Sequence, residues 1–196
     1  MKKLCVIAAV VLAAALGTFP GAAPVAAQQD APKKAGPPKE AKSVSAVVLE
    51  MWNDIGRKLT AMAEDFPEDK YDYKPTPEQR TFAEQLLHAS GANYFFTNMV
   101  EGKPLPAEEN PPRSKYKTKA EVVAFVKQSF ADGAAVIKSK GDAGMQGTVV
   151  DPFENQKIRV YEMAYGLIEH SGEHYGQLVG YYRSAGMVPP ESRPKK

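Results

Sequence analysis

The chain has 196 residues, 43% of them hydrophobic, enough for one domain with a real apolar core. Its formal net charge is only +2, with Lys and Arg spread along the chain, which excludes the basic face of a nucleic-acid binder. The single cysteine, Cys5, falls in a segment expected to be removed. Disulfides, thiolate nucleophiles and Cys-ligated zinc are therefore excluded from the mature chain.

Residues 1–27 read as a secretory signal peptide. Lys2 and Lys3 form a positive start, and residues 4–16 are an unbroken apolar run of 13 residues. Pro20 and Gly21 follow, then Val25, Ala26 and Ala27 as small residues for a signal peptidase. The run is short for a membrane span. Cleavage before Gln28 removes Lys2 and Lys3 and no acid, leaving 23 basic and 23 acidic residues. The mature protein is thus expected to be exported, periplasmic or extracellular, with no stable membrane span. Residues 28–43, rich in Pro, Lys and Ala and without an aromatic, read as a flexible linker. A helical domain is expected over 44–190. From Pro189 the chain reads as frayed, with 191–196 a disordered tail.

Four helical segments fill that domain. In 45–66, Val48, Trp52, Ile55, Leu59, Met62 and Phe66 recur at steps of four and three, one stripe of a helix. A loop holding Pro67, Pro75 and Pro77 follows. Thr81-Phe82-Ala83-Glu84 is a capping box that opens a second helix. It carries Phe82, Leu86, Leu87, Tyr94, Phe95 and Met99 and stops near Gly102. After a Pro-rich loop, Thr118-Lys119-Ala120-Glu121 is a second capping box. The third helix puts Val122, Val126, Phe130, Gly133 and Ile137 on one face and is expected to close at Gly141 and Gly144. Residues 148–153 read as extended or irregular, and Pro152 argues against a central strand. The fourth helix, 158–185, has a stripe of Val160, Met163, Leu167, His170, His174, Leu178 and Tyr181, with Gly186 placed for a left-handed end. Four amphipathic helices and no strong strand signal point to an all-α four-helix bundle.

The expected mature chain keeps three histidines. His170 and His174 are four apart on one helix face, so both rings can reach one ion. Their place on the apolar stripe turns them inward. His88, in line with Ala92, Phe95 and Met99, also faces inward. Neutral imidazole suits zinc, nickel, iron or copper. Three protein ligands with an open position is how catalytic zinc is usually held. A bare His-x-x-x-His also arises by chance in a hydrogen-bonded core, and here Ser171 follows the first histidine, unlike the metalloprotease pattern. Glu84, Glu169, Glu173 and Gln177 are candidate outer partners, although Glu84 suits the cap and Glu169 and Glu173 suit a solvated face. Gly172 and Gly176 read as small residues for close helix packing. Tyr175, Tyr181 and Tyr182 read as core.

The stretch His170-Ser171-Gly172-Glu173-His174-Tyr175-Gly176-Gln177-Leu178, followed by Tyr181-Tyr182-Arg183-Ser184-Ala185-Gly186, resembles the C-terminal helix of the DinB/YfiT-like family. So does Pro75-Thr76-Pro77-Glu78 with Arg80-Thr81-Phe82-Ala83-Glu84 leading to Leu87-His88. The resemblance extends over nearly all of 45–189 in helix order and loop placement. It implies a four-helix bundle, often dimeric, with His88, His170 and His174 holding a divalent metal, zinc or nickel first. Studied relatives include thiol-dependent transferases and isomerases of the cytoplasm; an exported chain departs from them. The expected activity is metal-dependent hydrolysis or group transfer on an unidentified small molecule. The alternative is a non-catalytic metal- or ligand-binding protein of the cell envelope.

Overall fold

Residues 40–108 and 110–194 are described by a computed structural model. The expected signal peptide and most of the linker lie outside these residues, as do the last two residues of the tail.

Helix α1 (Val44–Asp65) begins where the Ser43 hydroxyl accepts from the Ala46 N–H. Its six-residue stripe is buried as the spacing predicts, with Trp52, Leu59, Met62 and Phe66 fully enclosed. Trp52 is the hub. Its indole donates to the Phe130 carbonyl at 2.9 Å, and its ring lies 5.3 Å from Phe96 and 5.6 Å from Phe130. Gly133 supplies the space, since a Cβ there would stand 2.0 Å from the Trp52 ring. Helices α2 (Phe82–Glu101) and α3 (Lys119–Gln146) both open with the expected capping boxes. α2 ends at Gly102 with φ 69°.

The packing order around the bundle is α1, α3, α2, α4, where α4 is Val160–Ser184. The α1–α2 and α3–α4 pairs therefore face each other across diagonals, with little direct contact. α2 is wedged between α3 and α4. That explains why no single stripe describes it: residues 85–93 are buried on every side. Further along, Phe96 and Val100 are in the core, while Tyr94, Phe95 and Met99 are half-buried. On α4 the inner face is likewise shifted. Ala164, Ile168 and Ser171 are buried, and Leu167 and His170 sit at its edge.

The long run of α3 breaks at Gly141 as expected, where the backbone takes φ 55° and ψ −170°, and a further helical turn through Gly144 then buries Met145. Residues 148–153 are extended at their start, as expected, forming strand β1 (Thr148–Val150). The fourth helix begins at Val160 rather than 158, because Lys157–Arg159 form β2, antiparallel to β1 in the register Val149↔Ile158. This hairpin leads directly into α4. Residues 189–193 are docked rather than frayed. Pro189 is buried, Pro190–Ser192 form a single 3-10 turn, Glu191 pairs with Arg57 at 2.6 Å, and Arg193 pairs with Asp65 at 2.6 Å. Among the described residues no helix is long and apolar enough to cross a membrane.

Candidate metal centre

The α2–α4 contact brings the three histidines together. His88 is seven residues into α2, and His170 and His174 are successive turns of α4. His88 and His174 are buried, at 7% and 5% exposure, whereas His170 is half-buried. The Nε2 atoms of His170 and His88 lie 3.3 Å apart, and those of His174 and His170 lie 3.0 Å apart. The ring planes cross at 62–78°, so the rings meet by edges rather than by stacked faces. Among the described residues, no further His, Asp or Glu joins the group.

These separations suit a shared cation. With metal–nitrogen bonds of about 2.0–2.1 Å, neighbouring ligands lie about 3.3 Å apart in a tetrahedron and about 2.9 Å apart in an octahedron. Burial, then the neighbouring His170 and His88 rings, then Arg80, push the His174 imidazolium down to about 4. His174 is thus neutral near pH 7, as a ligand must be.

Each outer nitrogen that can be traced has a partner fixed by the fold. His88 Nδ1 lies 2.8 Å from Asn110 Oδ1. An amide oxygen only accepts, so Nδ1 carries the proton and Nε2 presents its lone pair to the centre. Asn110 comes from the Pro-rich loop after α2 and also receives the Arg80 guanidinium at 3.4 Å. His174 Nδ1 lies 2.7 Å from the buried Gln85 side-chain amide, which in turn bonds Gln177 Oε1. With the Gln85 nitrogen as donor, the His174 proton sits on Nε2 and bridges to His170. Turning the two amides over puts an oxygen on Nδ1 and leaves the Nε2 lone pair available, as coordination requires.

Gln85 and Asn110 are absent from the expected outer partners. Neither has a spacing rule that ties it to a histidine: Gln85 sits three residues before His88 yet serves His174 on another helix. Gln177 does reach the cluster, accepting from Gln85 and hydrogen-bonding His174 itself. Glu84 is the capping carboxylate, accepting from the Thr81 N–H at 2.7 Å. Glu169 and Glu173 are exposed. Tyr181 and Tyr182 are core residues whose hydroxyls donate to the Arg80 and Met62 carbonyls. A Cβ at Gly172 or Gly176 would meet nothing within 4 Å, so no neighbour makes the close approach expected there.

Residues 51–178 match the family model of the DinB superfamily. A DinB-like protein from Bacillus cereus superposes with a TM-score of 0.62 at 16% identity, over 73% of this chain and 93% of that one. YfiT from Bacillus subtilis, described as a probable metal-dependent hydrolase with an unusual four-helix bundle topology, superposes at 0.60 and 15% identity, over 77% and 94%. The DinB-like YjoA of the same species superposes at 0.59 and 17%, over 76% and 99%. Comparison with curated proteins gives no match.

Proposed function

The chain belongs to the DinB superfamily, and from that premise we propose that it is an exported metal-dependent hydrolase or transferase in which His88, His170 and His174 hold one divalent ion. The observation that carries this reading is the meeting of Nε2 atoms from two helices at 3.0 and 3.3 Å. Zinc or nickel is the first choice, with iron or copper also suited to imidazole. When bound, such an ion supplies a Lewis acid that lowers the pKa of a water, hydroxyl or thiol joining it. The protein's own contribution is orientation: Asn110 fixes the His88 tautomer, Gln85 steadies His174, and the α2–α4 contact sets the spacing.

A non-catalytic metal- or ligand-binding protein of the envelope is the alternative. The half-buried His170, which also lines the open groove beside the triad, favours a reactive site over a sealed one. Export to the periplasm or beyond rests on the signal-peptide layout of residues 1–27, and a homodimer on the family resemblance. The substrate is read as a small molecule.

The test is metal analysis of protein purified without chelator or affinity tag, beside His88→Ala and His170→Ala. The expected result is one ion per chain in the wild type and loss of it in both variants. Added zinc or nickel should raise the melting temperature, since a hundredfold excess over Kd stabilises by about 2.7 kcal/mol. A wild type that holds no stoichiometric metal and gains no stability from either ion overturns the proposal.

A further inference from the structure

A cavity of about 150 Å³ lies beside the histidines. Its walls are Ala92 and Phe95 of α2, Met163 and Leu167 of α4, Phe153 of the β1–β2 turn, and His170. Ala92 is one turn beyond His88, and Leu167 is about one turn before His170, so the cavity continues the same α2–α4 groove toward the hairpin. His170 is shared between the triad and the cavity, and it is the sole polar side chain of the six. Phe153 is 73% exposed, a costly position for a ring of that size, and it leans on Phe95 with 6.1 Å between centroids.

We infer that this cavity takes an apolar group, about the size of a phenyl ring, carried by a small-molecule ligand whose polar head is directed at the three-histidine centre. The inference rests on the metal reading for the head and on the cavity for the tail. A space of roughly this volume accepts a benzene-sized guest, and here it is open to solvent on the side of the exposed Phe153. Ligand sites in general pair an apolar wall with a few fixed polar groups. A polar tail would find His170 as its one side-chain partner in the lining, whereas an apolar tail exchanges water for Phe95, Met163, Leu167 and the otherwise exposed Phe153.

The test compares acetohydroxamate with benzohydroxamate, two probes with the same metal-directed head, by calorimetry on the zinc-loaded protein. Benzohydroxamate should bind roughly 10- to 100-fold tighter, as burial of an aromatic side chain predicts. Phe153→Ala, at an exposed position that the fold does not need, should cut that ratio several-fold. Leu167→Trp should abolish it by filling the space. In parallel, toluene, which has no metal-directed group, should shift the Met163 methyl resonance whether or not zinc is present. Zinc uptake with equal hydroxamate affinities overturns the inference and leaves the metal reading standing. Failure to take up zinc overturns the metal reading and the directed head, and the toluene arm then decides the cavity alone: an unmoved Met163 resonance overturns it.

Discussion

Gln85→Met isolates what the buried amide does for the centre. Gln85 is 2% exposed and reaches His174 Nδ1 at 2.7 Å. Methionine keeps the length and removes the hydrogen-bonding group. In a loaded site His174 must carry its proton on Nδ1, and that N–H would then face a thioether in place of its buried acceptor, with only the exposed Gln177 amide left beside it. An orphaned buried donor costs about 1–3 kcal/mol. Without an ion the ring can place the proton on Nε2, against His170 at 3.0 Å. Most of the cost therefore falls on the loaded form, as a loss of about 5- to 150-fold in metal affinity, in line with the 10- to 100-fold usual for such partners. Asn110→Ala removes the corresponding partner of His88, but Asn110 is exposed, so water replaces it and the loss should be about tenfold or less. Competition of each variant against a chromophoric chelator for zinc measures both. Wild-type affinity in Gln85→Met, or a larger loss in Asn110→Ala, would refute the reasoning.

Two further predictions need no knowledge of the reaction. Gly133→Ala drives a Cβ to 2.0 Å from the Trp52 ring; overpacking of this kind costs about 1–3 kcal/mol and should lower the melting temperature by roughly 3–10 °C. Gly172→Ala meets nothing within 4 Å and should instead raise it by a few degrees, through a gain of up to about 1 kcal/mol in helix propensity. Thermal melts followed by circular dichroism check both, and a stabilised Gly133→Ala would show that the Trp52 packing is misread. The last concerns pH in chelator-treated protein. The native His174 titrates at about 4 against 6.5 when unfolded, so the unfolded chain binds the extra proton between those values. Stability should fall as pH drops from about 6.5 to 4, by an amount on the order of 2–3 kcal/mol, and this group should add nothing below that. His174→Gln should flatten that part of a urea-denaturation profile, and an unchanged slope would count against the burial of His174.

What the sequence made legible was whatever a local rule governs. The α1 stripe, both capping boxes and the left-handed Gly102 and Gly186 follow from spacing and cap chemistry within a few residues. The same holds for the His170–His174 pair, because one helical turn sets it. Three-residue strands such as β1 and β2 carry too little alternation to be seen. On α2, Phe82, Leu86 and Leu87 were legible, but Gln85, Ser90, Asn93 and Phe96 escaped, because a helix flanked on two sides by other helices needs no amphipathic stripe. The outer partners of the histidines escaped for a different reason: Asn110 is brought to His88, and Gln85 to His174, by tertiary packing over 22 and 89 residues, and no periodicity encodes that.

The packing order of the bundle also decides when the centre can exist. α2 and α4 are neighbours in space, but the whole of α3 and the hairpin intervene between them, and His88 is 82 residues from His170. No nascent or truncated chain ending before residue 174 can present all three nitrogens. The entropy of closing that long loop is recovered only when the last helix docks. Any ligand that requires the full triad is therefore a counter of finished molecules: the ratio of bound ion to protein would report the fraction of chains in which the final helix has been laid into place.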